Sequence, residues 1–230
     1  MAGTAILVDG GFYRRKYAKG SDHTPEEAAD ALVRYCYRHL HEHVKEHDLY
    51  RIFYYDCTPC SKKIFHPLLN RTVDFSKTPH YAWMNQFLKE LTKKRKVVLR
   101  LGTLDEGSAT YVLTEKATKD IVMGKRPVNA LTERDFTSSI KQKGVDMKIG
   151  MDIASLAYKK QVDQIVLIAG DADFVPAAKL ARREGIDFVL DPLGHAIKED
   201  LFEHIDGKRS CGDPYATKRT SDKKQPALAK

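Results

Sequence analysis

The sequence predicts an α/β domain built on a mainly parallel, five-stranded sheet with helices on both faces. Short, continuous apolar runs are typical of strands that are buried in a parallel sheet. Amphipathic helical segments lie between these runs, and two of the runs end directly in Asp-Gly or Gly-Asp. Because helices separate the strands, right-handed crossover connections are expected. Residues 1–206 should form this single domain.

The first half of the chain contains three predicted strands. Residues 5–8 (Ala-Ile-Leu-Val) predict strand one, since they are apolar and stop at Asp-Gly-Gly. Residues 24–27 (Thr-Pro-Glu-Glu) combine an N-cap, a first-turn proline and a capping-box glutamate, so a long helix begins there. Strands two and three are predicted at 51–55 and 97–101, on either side of an amphipathic helix at 79–94.

The second half begins with a stretch of weak periodicity. Residues 102–142 predict an irregular insertion, with a hairpin over 110–122 as the alternative. Regular signals then return and alternate as helix, strand four, helix, strand five and helix: 146–160, 164–169, 175–183, 187–190 and 197–205.

The chain is basic, with a formal net charge of +8, which favours polyanionic partners such as nucleic acid. Residues 207–230 hold seven lysines and arginines against two aspartates. Because this segment has few apolar side chains, we expect a basic, disordered tail. Its role is open between a solubilising tail and an arm that attracts phosphates.

The cysteines and the hydropathy indicate the compartment. No apolar run approaches the ~20 residues of a membrane span, and the N-terminal run is interrupted by Asp9. Four cysteines without a secretory signal are expected to be thiols, so a cytoplasmic protein is expected. Cys57 and Cys60 leave three interpretations open: incidental loop thiols, a redox pair, or half of a zinc site. The sequence is also compatible with a homo-oligomer.

Aspartates follow two of the most apolar predicted strands. Asp9 follows strand one, and Asp171 and Asp173 follow strand four. In open parallel sheets, ligands bind beyond the carboxyl ends of the strands, where the strand order reverses. In the strand order 3-2-1-4-5, strands one and four are neighbours and these carboxylates converge. Asp146, at the start of the preceding helix, can reach the same edge.

A cluster of carboxylates is unfavourable without a cation, and oxygen ligands suit Mg²⁺ or Mn²⁺. Such an ion activates water for phosphodiester hydrolysis. The alternative is that each aspartate only caps the next helix. The candidate catalytic residues are Asp9, Asp146, Asp171 and Asp173, and the candidate metal ligands add Asp152, further along the helix of Asp146.

Four segments carry a family resemblance: 6–10 (Ile-Leu-Val-Asp-Gly), 54–56 (Tyr-Tyr-Asp), 143–146 (Lys-Gly-Val-Asp) with Asp152, and 168–175 (Ile-Ala-Gly-Asp-Ala-Asp-Phe-Val). Together they resemble the NYN domain, specifically its bacterial LabA-like branch within the PIN-like nuclease superfamily. The resemblance covers most of residues 4–206. It implies a Rossmann-like PIN fold, divalent-metal nuclease activity with RNA favoured over DNA, and metal ligation at the four candidate catalytic positions.

Two positions depart from the family pattern. Gly11 stands where many relatives carry Asn, and Ala172 stands where they carry Ser. Neither change removes a carboxylate, but both question a substrate-orienting role for these positions.

Basic residues near the aspartates are candidates for nucleic-acid binding. Those after the Asp9 turn alternate with aromatic residues, as a surface that grips the backbone and stacks bases would require. A solvated face over buried aromatic residues is the alternative. The candidates are Arg14, Arg15, Lys16 and Lys143.

The sequence therefore predicts a metal-dependent nuclease. The alternative is a non-catalytic module that uses the same fold to bind nucleic acid or a protein. A small-molecule phosphohydrolase or a dinucleotide-binding enzyme fits less well, because Asp-x-Asp follows strand four rather than strand one and no Gly-x-Gly-x-x-Gly follows a strand.

Overall fold

In the computed structural model, residues 3–17, 23–41, 47–197 and 199–216 are described. The strands in these ranges are β1 Gly3–Asp9, β2 Leu49–Cys57, β3 Lys63–His66, β4 Arg71–Asp74, β5 Val97–Leu113, β6 Phe136–Lys143, β7 Val162–Ile168, β8 Asp187–Asp191 and β9 Gly207–Lys208. The helices are α1 Gly10–Tyr17, α2 Pro25–Arg38, α3 Pro79–Thr92, α4 Glu115–Val122, α5 Val145–Tyr158, α6 Val175–Arg183 and α7 Glu199–Phe202.

The central sheet is mostly parallel, and helices cover it, as the α/β fold class predicts. Its seven strands run in the order β6-β5-β2-β1-β7-β8-β9, with β1 in the middle. Among the strands of the described ranges in this sheet, only β6 is antiparallel to its neighbour. The sequence therefore predicted too few strands, five instead of seven. The two additional strands are edge strands, β6 from the predicted insertion and β9 from the predicted tail, and neither shows the apolar run that identifies a buried strand.

Side chains of β1 alternate between the two faces of the sheet. Ala5 and Leu7 pack with residues of α5 and α6, while Ile6 and Val8 pack with residues of α2 and α3. All four are fully buried. Burial of a leucine, isoleucine or valine side chain stabilises a fold by about 1.5–3 kcal/mol each. The continuous apolar run of β1 therefore makes it the centre of a sheet that is covered on both sides.

Helix α2 begins where the capping signals predict. Thr24 Oγ1 accepts from the backbone N–H of Glu27 (3.2 Å), and the Thr24 N–H donates to Glu27 Oε2 (2.8 Å). This reciprocal pair satisfies two backbone donors at the helix end. The helix packs its apolar face on the sheet beside α3.

The predicted irregular insertion contains regular structure. Strand β5 continues to Leu113, α4 follows, and β6 returns antiparallel to β5, from Leu113 paired with Phe136 to Thr103 paired with Lys143. The antiparallel hairpin β3–β4, which lies before this insertion in the chain, was not predicted either. Most side chains of β6 and of the distal half of β5 are exposed or half-buried, so the apolar periodicity that reveals strands is absent.

The domain extends beyond residue 206. Strand β9 pairs with β8, and Arg38 Nη1 donates to the carbonyl oxygens of Cys211 (3.0 Å) and Asp213 (2.7 Å). Residues 207–216 thus pack on the sheet edge and on α2, while the rest of the predicted tail, 217–230, lies outside the described residues. None of the described helices is long and apolar enough to cross a membrane.

Candidate active site

A cavity opens at the carboxyl edge of the sheet, between β1 and β7. These strands are parallel neighbours, with Val8 in register with Ile168, so the segments that follow them leave the sheet side by side. The cavity has a volume of about 540 Å³. We call it the acidic cavity, and its lining residues are Asp9, Phe12, Arg15, Lys16, Gly170, Asp171 and His195.

Asp9 both caps α1 and faces the acidic cavity. Its Oδ1 accepts from the backbone N–H of Phe12 (2.9 Å), which is the helix-cap interpretation of this residue. Burial raises the pKa of Asp9, the negative charges of Asp146 and Asp56 raise it further, and the Phe12 N–H and Arg15 oppose the rise. One carboxylate oxygen of Asp9 therefore caps α1, and the surroundings of this carboxylate disfavour its negative charge.

Asp173 lies in the short 3₁₀ turn Ala172–Phe174 between β7 and α6, and Asp171 comes directly before this turn. Asp171 Oδ1 accepts from the backbone N–H of Asp173 (3.2 Å), and both residues are exposed. Gly170, just before them, allows a close approach: a Cβ at this position would lie 2.4 Å from a ring atom of Phe12. The ring of Phe12 therefore packs directly on the backbone of Gly170 and joins the two strand ends.

Asp146 lies in the first turn of α5, after Gly144, which has a φ of 79°. Burial raises the pKa of Asp146, and the charges of Asp171 and Asp173 raise it further. Asp146 in turn raises the pKa of Asp9, so the electrostatic effects connect all four candidate carboxylates. Helices α1 and α5 begin at this edge, and the dipole of a helix favours negative charge at its N-terminal end.

The donor set fits a hydrated, hard cation better than a closed metal cage. Among the described residues, no three His, Cys, Asp or Glu side chains are grouped as a preformed metal site. Mg²⁺ does not require such a group, because it keeps several waters and binds through one or two carboxylates and the phosphates of the substrate. Repulsion among Asp9, Asp146, Asp171 and Asp173 is the interaction that a cation would relieve.

Asp152 belongs to a different environment, which corrects its assignment to the metal ligands. Arg100 Nε and Nη2 donate to its Oδ2 and Oδ1 (both 2.7 Å), and the Tyr55 hydroxyl donates to Oδ2 (2.8 Å). It lines a separate cavity, with Tyr50 and Ser155. Because an arginine already neutralises this carboxylate, we remove Asp152 from the candidate ligands.

Arg14 also differs from its predicted role. Its Nε and Nη2 donate to Asp56 Oδ2 (2.8 Å) and Oδ1 (3.0 Å), and Asp56 is buried. This guanidinium is held by a carboxylate, so we remove Arg14 from the candidate phosphate contacts. Asp56, in the segment that ends β2, holds Arg14 in place.

Three predicted basic residues remain accessible near the site. Arg15 and Lys16 are exposed and line the acidic cavity. Lys143 is 63% exposed, and its ammonium lies 2.8 Å from Asp105 Oδ2. An exposed ion pair contributes only ~0–1 kcal/mol, so Lys143 can exchange this partner for a phosphate.

His195 lines the acidic cavity and was not predicted. Its ring centroid lies 5.8 Å from that of Phe12. It follows β8, where the buried Asp191 holds the loop by accepting from the Leu193 N–H (2.7 Å) and the Ser210 hydroxyl (2.6 Å). His195 could have been predicted from the sequence, because ligands bind at the carboxyl ends of parallel strands and β8 is the third strand, after β1 and β7, that ends at this edge.

The four cysteines are free thiols, and Cys57 and Cys60 do not form a disulfide. Cys57 Sγ donates to the carbonyl oxygen of Thr103 (3.4 Å), and Cys60 Sγ accepts from the Lys62 N–H (3.4 Å). Burial raises the pKa of Cys57 to about 11, and Asp56 adds to the rise. A redox cysteine needs a lowered pKa, so the structure favours incidental loop thiols over a redox pair.

Comparison with known proteins identifies the family of the chain. The model of the NYN domain family matches residues 72–196, which include Asp146, Asp171 and Asp173 and begin after Asp9. A comparison with curated proteins finds no match. NYN domains are generally nucleases that act on nucleic acid. Because the match covers more than half of the 230 residues, the chain belongs to the NYN domain family.

Proposed function

We propose that the protein is a ribonuclease that hydrolyses phosphodiester bonds with Mg²⁺ or Mn²⁺, and that it belongs to the LabA-like branch of its family. The observation that carries this proposal is that Asp9 and Asp171 line one cavity at the carboxyl edge of the sheet. The charges of Asp171 and Asp173 raise the pKa of Asp146, and the charge of Asp146 raises the pKa of Asp9, so all four carboxylates act on one another there. These four carboxylates would hold the cation. The chemistry that such a cation supplies is the activation of water and the neutralisation of charge on the phosphate.

The surroundings of the carboxylates support a polyanionic substrate. Arg15 and Lys16 bring positive charge to the rim of the acidic cavity, where they would bind phosphates on either side of the cleaved bond. Lys143 would add a contact beside Asp146. The half-buried ring of Phe12 and the exposed ring of His195 offer an aromatic surface in the cavity, and His195 has a ring nitrogen that can donate to the leaving oxygen.

The test is cleavage of single- and double-stranded RNA and DNA with Mn²⁺ or Mg²⁺, for the unchanged protein and Asp171→Asn. We expect this variant to lose at least about 100-fold in rate, the scale for losing a group that stabilises charge in the transition state. Asp163→Asn is the matched control, because Asp163 is exposed at the opposite end of β7. Full activity in Asp171→Asn would refute the proposed site.

A binding measurement complements the activity assay. A bound cation raises the melting temperature in proportion to the logarithm of its concentration. Mn²⁺ should therefore raise the melting temperature of the unchanged protein and of Asp163→Asn more than that of Asp171→Asn. An equal rise in all three proteins would argue against a cation at these carboxylates.

The second candidate function is a non-catalytic module that binds nucleic acid. The observation in its favour is the basic rim of Arg15 and Lys16, which would bind phosphates without any cation. Salt-sensitive RNA binding without metal-stimulated cleavage of any substrate would favour this function.

A further inference from the structure

A second, smaller cavity lies beside the acidic cavity. It has a volume of about 190 Å³, and we call it the side pocket. Arg14 lines it from α1, whereas Phe12, Arg15 and Lys16 of the same helix line the acidic cavity. The two cavities therefore lie against different faces of α1.

The walls of the side pocket suit a flat, partly polar ring. Phe75, Tyr81 and Met84 supply apolar and aromatic surface. Strand β6 supplies every second residue, Ser138 and Gln142 among them, so one face of this strand forms the opposite wall. Sites for drug-sized ligands measure about 300–1,000 Å³. A pocket of 190 Å³ holds only part of a ligand, such as one base of a strand.

The charged groups of the side pocket disfavour a phosphate as its occupant. The guanidinium of Arg14 is neutralised by Asp56, which lines the same pocket. Burial and the neighbouring Arg14 lower the pKa of His80, against a smaller opposing effect of Asp56. A neutral imidazole has one donor and one acceptor, as the edge of a base requires.

The side pocket adjoins the proposed catalytic carboxylates. A Cβ built on Gly11 would lie 3.3 Å from Asp9 Oδ1 and 3.7 Å from Gln142 Oε1. Gln142 also donates from Nε2 to Asp56 Oδ1 (3.4 Å). Its amide thus stands between the acidic cavity and the side pocket, so one nucleotide can span both.

We propose that the side pocket receives one unpaired base of the RNA strand, next to the phosphate that lies at Asp9. The inference rests on the proposed function, and it assigns single-stranded RNA as the substrate class. A paired base could enter only after leaving its duplex, so a duplex should bind more weakly than a single strand. Stacking on Phe75 or Tyr81 and hydrogen bonds to Gln142 and His80 would hold the base without strong preference for one sequence.

The test fills the pocket and measures binding without cleavage. Ser138→Trp places a bulky side chain on the β6 face that lines the side pocket. Thr137→Trp is the matched control, because Thr137 is also exposed on β6 but points to the other face. Fluorescence anisotropy with EDTA present would measure the binding of a labelled 12-nucleotide single-stranded RNA, the same RNA with abasic sites, and an RNA duplex.

We expect Ser138→Trp to weaken binding of the base-bearing single strand at least about fivefold, the factor for losing ~1 kcal/mol of base stacking. Thr137→Trp should bind like the unchanged protein. The abasic strand should bind weakly to all three proteins, and the duplex should bind more weakly than the single strand. His80→Ala changes an exposed residue that lines the side pocket, and it should weaken binding of the single strand less than Ser138→Trp does. This variant keeps the test valid if Ser138→Trp does not fold.

Equal binding by Ser138→Trp and Thr137→Trp, or equal binding of the base-bearing and abasic strands, would overturn the inference. Tight binding of the duplex would do the same. These outcomes are independent of cleavage, so Asp171→Asn can still confirm the nuclease when the side pocket proposal fails. Conversely, a protein that cleaves nothing but shows the expected binding pattern would retain the side pocket and lose the proposed activity.

Discussion

Two ion pairs of the same chemistry but different burial allow a sharp stability prediction. Adjacent tyrosines of β2 each donate a hydroxyl hydrogen bond to an aspartate: Tyr54 to Asp56 (2.9 Å) and Tyr55 to Asp152 (2.8 Å). Each aspartate also accepts two hydrogen bonds from one arginine, Asp56 from Arg14 and Asp152 from Arg100. The two sets lie on opposite faces of the sheet, so they provide a natural comparison.

Burial decides how much each pair contributes. The side chains of Arg14 and Asp56 are 19% and 1% exposed, whereas those of Arg100 and Asp152 are 39% and 16% exposed. Removing one partner of a buried pair costs about 3–5 kcal/mol, because the other charge remains buried without compensation. An exposed pair contributes ~0–1 kcal/mol. We therefore expect Asp56→Asn to cost about 3 kcal/mol, at the low end because Asn still accepts one hydrogen bond, and Asp152→Asn about 1 kcal/mol.

Urea unfolding followed by circular dichroism would measure both free energies of unfolding. In a chain of this size a loss of 1 kcal/mol lowers the melting temperature by about 2–4 °C. Asp56→Asn should then melt about 6–12 °C below the unchanged protein, and Asp152→Asn about 2–4 °C below it. Equal losses, or a larger loss for Asp152→Asn, would refute the argument that burial sets the difference. Cleavage by Asp152→Asn should persist, since Asp152 is removed from the metal ligands.

Two further predictions concern Gly170, which lines the acidic cavity, and Cys57, which lines the side pocket. Gly170→Ala should lower the free energy of unfolding by about 1–3 kcal/mol and slow cleavage, because the new Cβ would lie 2.4 Å from a ring atom of Phe12. Gly150→Ala, in α5, is the control: its Cβ would have no neighbour within 4 Å, so this variant should gain about 0.5–1 kcal/mol of stability. Urea unfolding would measure both, and a neutral Gly170→Ala would contradict the close packing. Iodoacetamide should modify Cys57 of the folded protein slowly at pH 8 and faster as the pH approaches the thiol's pKa of about 11. Peptide mass spectrometry would measure the modification, with the urea-unfolded protein as control. Rapid modification at pH 7 would instead support a redox role.

Several features of the fold could be predicted because they depend on local patterns in the sequence. The continuous apolar run of β1 predicted a strand that is buried on both faces, and Ile6 and Leu7 are fully buried. Residues 24–27 predicted the start of α2, because a capping box is a contact between residues that are three apart in sequence. The positions of Asp9 and Asp171 at strand ends could be predicted for the same reason, since a strand end is visible in the sequence.

The partner of a charged side chain could not be predicted in this way, because it depends on contacts between distant segments. Asp152 and Arg100 are 52 residues apart in the chain, and Arg14 and Asp56 are 42 apart, so no local pattern reveals that they pair. The same holds for β6 and β9, which join the sheet at its edges without an apolar run of their own. The spacing of apolar residues within one segment predicts which of its side chains are buried, and this needs no knowledge of the other segments. Which carboxylates remain for a cation, and which already have an arginine, depends on the register of strands that are distant in sequence.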